Sequence, residues 1–183
     1  WQDIDTNFSE VDTGSFSARF TKLPYLVRMG NDGTRRIYPD RNDLSYWIDL
    51  GKPFANMGNP VKQGNTWTWD FPNTSIIVKV RKTILKFSAI LKNALAPTSL
   101  NIPFSVMGIT RTGNLLYHNG QVVAKLRKPV AVDANGIERE PTVTFQANRI
   151  NLSLDTTGLV FPIEIDPTLD LSVGASSDDI GFR

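Results

Sequence analysis

Residues 115–168 constrain the fold most strongly, because four turn-forming segments divide them into short apolar runs. In chain order these segments are Asn119-Gly120, Asp133-Ala134-Asn135-Gly136, Asp155-Thr156-Thr157-Gly158 and Ile165-Asp166-Pro167-Thr168. Asn and Gly tolerate the positive φ angles of tight turns, and Asn-Gly between two apolar runs is a strong hairpin signal. The stretch therefore predicts an antiparallel meander of short strands.

The rest of the chain repeats this pattern of alternating strands and turns. Residues 15–21 alternate apolar and polar side chains, and residues 25–29 and 34–38 flank a Gly-Asn-Asp-Gly turn, which predicts a hairpin. Residues 83–92 fit both a strand and a helix, but strand alternation has a single misfit at Ile90, so we predict a strand. Residues 51–65 predict a long irregular loop.

About a dozen short strands predict an all-β fold of antiparallel β-sandwich modules, one large or two small. The Ala-Pro-Thr segment near residue 97 predicts a boundary. We expect an N-terminal β domain (1–95), a C-terminal β-sandwich or meander module (98–168) and an extended C-terminal arm (169–183). Pro162 lies inside a predicted strand and predicts a sheet edge or a bulge, because proline cannot donate to the ladder.

Composition excludes several classes of function. A net charge of only +2, with a mild asymmetry between the two halves of the chain, argues against nucleic-acid binding. The absence of Cys excludes disulfides and thiolate metal sites, and a single histidine, His118, argues against histidine-based catalysis. No apolar run approaches the roughly 20 residues that span a bilayer, so we predict no membrane insertion. We also predict no enzymatic activity and no cofactor.

The chain begins with Trp rather than Met and shows no charged and apolar leader. We therefore expect it to be a processed product or a piece of a longer polypeptide.

Three motifs resemble a β-rich module of very large extracellular proteins of bacteria, their viruses and environmental sequences. They are a hairpin with Gly-x-Val-Val-x-x-Leu-x-x-Pro at residues 115–129, Asp-Ala-Asn-Gly at 133–136, and a segment ending in Phe-Pro-Ile-x-Ile-Asp-Pro-Thr at 157–168. Residues 1–5 also resemble the Trp-x-Asp-Ile-Asp opening of some such regions.

The resemblance implies a scaffolding role, since such modules stand upstream of repeat, lectin-like or fibre domains. We accordingly expect a non-catalytic structural or assembly module of a larger extracellular, cell-surface or virion protein. Its expected partners are further copies of itself or neighbouring subunits and domains, reached through β-strand edges. The resemblance brings no catalytic residues with it.

Residues 169–183 continue beyond the last motif and are polar, yet they carry five apolar residues. These are Leu169, Leu171, Val173, Ile180 and Phe182. An extended segment of this kind can add a strand to the exposed edge of a neighbouring sheet, with its apolar side chains as anchors. We therefore predict an assembly arm.

Carbohydrate binding is the alternative function. Trp67 and Trp69 share one face of a predicted strand and, with Trp47, could form a platform on which sugar rings stack. Aromatic side chains also contribute most to the burial of a core, and the core is the favoured position for Trp67 and Trp69.

Three further chemistries are weaker alternatives. Oxygen ligands for Ca²⁺ could come from Asp133, Asn135, Asp166 and Asp170, although such residues in turns usually bond their own backbone. The main basic concentration is Lys79, Arg81, Lys82 and Lys86. It could meet an anionic polymer, but lysines commonly blunt exposed sheet edges. A Lys–Asn isopeptide crosslink would show as the loss of one ammonia from the intact mass.

Overall fold

A computed structural model describes residues 9–13, 16–20 and 23–171. Within these ranges the chain forms nineteen strands and no helix. In chain order the strands are β1 (Ser9–Thr13), β2 (Phe16–Phe20), β3 (Leu26–Met29), β4 (Arg35–Tyr38), β5 (Trp47–Leu50), β6 (Val61–Gln63), β7 (Thr66–Asp70), β8 (Thr74–Val80), β9 (Ile84–Leu91), β10 (Ser99–Met107), β11 (Thr110–Thr112), β12 (Leu115–His118), β13 (Gln121–Leu126), β14 (Val130–Val132), β15 (Glu138–Arg139), β16 (Thr142–Gln146), β17 (Arg149–Ser153), β18 (Ile163–Asp166) and β19 (Thr168–Asp170). The predicted all-β fold is confirmed.

The strands form two sheets in which every described pairing is antiparallel. The eight-stranded sheet has the order β1-β2-β3-β4-β5-β10-β17-β16. The eleven-stranded sheet has the order β11-β12-β13-β19-β9-β18-β14-β15, and β8, β7 and β6 add in turn beside β9. Residues of both sheets contribute to one hydrophobic core, as expected for a sandwich.

Turn chemistry places the hairpins as the sequence predicts. Asn119 and Gly120 have φ angles of 48° and 79°, which a two-residue turn between β12 and β13 requires. The predicted hairpin around residues 30–33 joins β3 to β4. The strand prediction for residues 83–92 is also confirmed, since β9 pairs with β8 from Val80↔Leu85 to Thr74↔Leu91.

The predicted domain boundary near residue 97 is wrong, because both sheets cross it. In the eight-stranded sheet β5 pairs with β10, and in the eleven-stranded sheet β9 pairs with β18 and β19. The core is likewise shared, since Val78 and Ile165 belong to the same buried cluster. Burial between the two halves outweighs the local Pro signal at the linker.

The predicted arm cannot begin at residue 169. Leu169 lies in β19, between β9 and β13, and is only 3% exposed. Leu171 is partly buried and packs against the same core. Both side chains therefore stabilise this domain and cannot anchor it to a neighbour. Val173, Ile180 and Phe182 lie outside the described residues.

Two local predictions also need correction. Pro162 precedes β18, and β18 lies between β9 and β14 in the interior of the sheet, so the predicted edge or bulge is wrong. The segment 51–65 is not wholly irregular, because Val61–Gln63 forms β6 beside β7.

The eleven-stranded sheet divides at Pro167. Strands β18 and β19 both run along β9, and Pro167, which lacks an N–H, separates them while its carbonyl oxygen accepts from the Phe87 N–H at 3.2 Å. On the other side, β18 pairs with β14 and β19 pairs with β13. Residues 127–129 join β13 to β14 opposite this break. We call the region formed by residues 127–129 and Pro167 the fork.

Candidate assembly edge

Most strands at the ends of the two sheets carry features that discourage pairing with another chain. In β1 the register shifts between Glu10 and Thr13. Strands β6 and β11 have three residues each, with Lys62 and Arg111 at their centres. Strand β15 has two residues, and both are charged. Short length, charge and irregular register are the usual protections of exposed edges.

Strand β16 lacks these protections. Its five residues, Thr-Val-Thr-Phe-Gln, carry no charge, and they pair with β17 in continuous register. No described strand pairs with its outer side. Long, regular and uncharged edges are templates for the addition of another strand.

The turn after β16 determines which backbone groups face outward. Gln146 and Arg149 flank the two-residue turn and are cross-strand partners, so they form a hydrogen-bonded pair. Because bonded and non-bonded pairs alternate along an antiparallel ladder, Val143 and Phe145 direct their N–H and C=O groups away from β17. Their side chains are partly buried against the core, whereas Thr144 is exposed on the outer face.

The edge of the opposite sheet lies next to β16. The guanidinium carbon of Arg111 in β11 is 4.5 Å from the centre of the Phe145 ring. Nη1 of Arg111 donates to the Gly113 carbonyl oxygen at 2.7 Å, which fixes the side chain over the ring. The cation therefore covers the Phe145 ring, and within the described ranges no strand occupies the outward backbone groups of β16.

Four exposed apolar residues lie on β14, in the turn that follows it and in the loop before β18. They are Val130, Val132, Ile137 and Val160, which are between 37% and 48% exposed. The Asp133 carboxylate holds these segments together, because it accepts from the N–H groups of Ile137 at 2.8 Å and Val160 at 2.9 Å.

The tryptophan platform is not formed. Trp67 is fully buried and Trp69 is 2% exposed, with their ring centres 6.1 Å apart in the core. Nε1 of Trp69 donates to the carbonyl oxygens of Asn31 and Gly58. A sugar cannot reach either ring, so their assignment to a glycan site is wrong and the core position is confirmed.

Trp47 stands apart from Trp67 and Trp69 and is half-buried. The Arg36 guanidinium carbon lies 4.5 Å from the Trp47 ring centre, and Arg36 also forms an ion pair with Asp49 at 2.7 Å. Nε1 of Trp47 donates to Asp49 at 3.3 Å. One face of the ring is therefore occupied by a cation, and the geometry does not favour Trp47 as a stacking platform.

The candidate calcium ligands do not converge on one point. Asp133 bonds backbone N–H groups, Asp166 pairs with Lys86 at 2.9 Å, and Asp170 pairs with Arg127 at 2.6 Å. Within the described ranges, no group of three or more Asp, Glu or His side chains is placed to hold a metal. Lys86 of the predicted basic group thus has acidic partners inside the fold.

Comparison with protein-family models, curated proteins and solved structures found no match to this chain. In the described part of the chain, no helix has the length and apolarity needed to cross a membrane.

Sequence patterns alone do not identify β16 as an edge strand. Its signal was available in the uncharged segment 142–146, but the sequence does not show which strands lie at the ends of the sheets.

Proposed function

We propose that this chain is a non-catalytic structural module of a larger extracellular, cell-surface or virion assembly. It associates with a second copy by strand addition at β16. The observation that carries the proposal is the five-residue, uncharged edge with continuous register, in a fold whose other described edges are short, charged or irregular.

A two-fold axis at Thr144 gives the simplest pairing of two copies. Antiparallel pairing about this axis places Val143 of each copy opposite Phe145 of the other. Each such pair then exchanges two backbone hydrogen bonds through groups that already face outward. Thr144 faces its own counterpart in a non-hydrogen-bonded pair, whose Cα atoms are about 4.5 Å apart. The existing β16–β17 ladder is unchanged.

The absence of Cys makes a crosslinking test direct. A Thr144→Cys variant should form a disulfide-linked dimer under mild oxidation, because the expected Cα separation lies within the range that a disulfide bridges. The measurement is a non-reducing gel with intact mass across a dilution series. Ser153→Cys is the matched control, since Ser153 is exposed but lies on the interior strand β17.

Equal crosslinking of the two variants, or a purely monomeric Thr144→Cys protein, would overturn the proposal. Deletion of residues 172–183 separates the edge from the predicted arm. If the chains associate at β16, the deletion variant that also carries Thr144→Cys should crosslink as the full-length Thr144→Cys protein does. Loss of crosslinking on deletion would transfer the assembly role to the arm.

A further inference from the structure

Arg35 is buried between the two sheets. Its side chain is 1% exposed and shares the inner face of β4 with Ile37. Nη2 donates to the Gly51 carbonyl oxygen at 3.3 Å, and the guanidinium carbon lies 5.0 Å from the centre of the Phe87 ring. Nε and Nη1 have no acceptor among the described residues. Buried donors are nearly always paired, so these free donors call for a partner.

Burial does not remove the charge from Arg35. It lowers the pKa of the guanidinium to about 10, which leaves the group protonated at neutral pH. An isolated buried charge is strongly unfavourable unless an opposite charge or a set of acceptors accompanies it. The nearby carboxylate of Asp49 is engaged by Arg36, whose side chain lies on the other face of β4.

A cleft connects Arg35 with the open side of the sandwich. Five successive strands, from β4 to β16, line one wall, and Phe87 of β9 belongs to the opposite wall. Strand spacing gives this wall a width of roughly 19 Å. The free volume of the cleft is about 60 Å³, so the cleft is narrow.

Apart from Arg35, Arg127 and Thr168, the described residues that line the cleft are apolar, and none of them is a carboxylate. The buried end holds Arg35, while the partly exposed lining residues Phe145, Leu126 and Pro167 lie at β16 and the fork. Arg127 stands at this open end and already pairs with Asp170. The cleft therefore combines a buried cationic end with apolar walls and a partly exposed end at β16 and the fork.

We propose that this cleft binds a straight-chain aliphatic carboxylate, with the carboxylate at Arg35 and the chain extending toward the fork. The carboxylate supplies the negative charge and the acceptors that the free guanidinium donors lack. A narrow apolar cleft accommodates one unbranched chain and excludes bulky or polar bodies. Water can hydrate the guanidinium in the unliganded protein, but it brings no negative charge.

Calorimetric titration of the full chain with hexanoate, octanoate and dodecanoate tests the site. We expect saturable binding of one molecule per chain, with affinity that rises with chain length. Dodecanol matches the apolar body of dodecanoate without its charge and should bind at least about tenfold more weakly, as the loss of a charge-assisted hydrogen bond predicts.

The Arg35→Met variant keeps an unbranched side chain and removes the charge. It should bind dodecanoate at least about tenfold more weakly than the wild type, and it should no longer distinguish dodecanoate from dodecanol. Arg149→Met is the matched control, because Arg149 is exposed and does not line the cleft. Its affinity should equal that of the wild type.

A second readout stays informative if Arg35→Met folds poorly. In wild-type protein, the carboxyl ¹³C signal of labelled dodecanoate should keep its ionised shift at a pH where the free acid is protonated. The proposal would be overturned if none of the three carboxylates gave saturable binding, or if dodecanol bound as tightly as dodecanoate. Titration of the bound carboxyl at the pKa of the free acid would overturn it as well.

Carboxylate binding does not depend on assembly at β16. A Thr144→Lys variant places a charge on the outer face of the edge and should retain dodecanoate binding while losing self-association. The two proposals can therefore fail separately.

Discussion

At the scale of single residues, Asp133 shows how one carboxylate organises a turn. It accepts from the N–H groups of Asn135, Ile137 and Val160, the last of which lies 27 residues further along the chain. These hydrogen bonds, with that of Val160 the largest contribution, lower the pKa of Asp133 below its ordinary value. The ionised form is thus the one that the folded state binds best.

We expect Asp133 to make the fold sensitive to acid. Because its pKa is lower in the folded state, its contribution is complete above the unfolded pKa of about 3.9 and is lost as pH falls through the folded pKa. Asp133→Asn should lower the urea midpoint at neutral pH and flatten the loss of stability below about pH 4. Denaturant titration at several pH values measures both effects.

Glu138→Gln is the control for Asp133→Asn, because Glu138 is an exposed carboxylate in the same hairpin. It should leave both the midpoint and its pH dependence unchanged. An Asp133→Asn protein with the acid slope of the wild type would contradict the role assigned to this carboxylate.

The burial of Arg35 could have been predicted from its strand. Ile37 faces the core, and a strand has a period of two, so Arg35 must face the core as well. A charged residue at an inward position is unusual enough to mark a candidate site. What the sequence could not show is that none of the described residues places an acid against the guanidinium, because that depends on strands far away in the chain.

At the scale of the strand, proline substitutions at two adjacent residues of β16 should have different effects. A Val143→Pro substitution removes an outward N–H, so it should block association while the β16–β17 ladder stays intact. Thr144→Pro removes an N–H that bonds Asn151 and should lower the free energy of unfolding by about 1–3 kcal/mol. Sedimentation and denaturant unfolding of both variants separate the two effects.

If Thr144 rather than Val143 directed its N–H outward, the two proline substitutions would have the opposite effects. Should Val143→Pro unfold the domain while Thr144→Pro abolishes association alone, the assignment of outward groups on β16 would be wrong.

Individual strands were predictable because their signals are local. Alternation located β2, and the Asn-Gly turn located the pair β12 and β13. Strand order was not predictable in the same way. The pairing of β5 with β10, or of β9 with β19, depends on complementary burial between segments that are distant in sequence. The position of β16 at an edge follows from that order.

At the scale of the whole molecule, the shared sheets predict that the two halves cannot fold separately. Fragments 1–96 and 97–183 should each lack cooperative unfolding, since β9 loses β18 and β19 when the chain is divided. Mixing the fragments should restore the fold. All four Trp residues lie in the first fragment, so a blue shift of its fluorescence on adding the second measures reassembly.

A fragment 1–96 that unfolds cooperatively by itself, with buried tryptophans, would contradict the single shared core. That outcome would restore the two-domain organisation that the Pro signal at residue 97 predicts.

The fork has a consequence for biosynthesis. The ribosome releases β9 long before residues 163–170, which complete one side of that strand, have been made. Until then the nascent chain exposes an unfilled β edge, and long-range pairing of this kind is slow to form. If translation stalls before residue 163, the open edge of β9 can be filled only by a strand from another chain. The eleven-stranded sheet therefore cannot close until residues 163–170 have left the ribosome, and chains that lack them are the species most prone to aggregate.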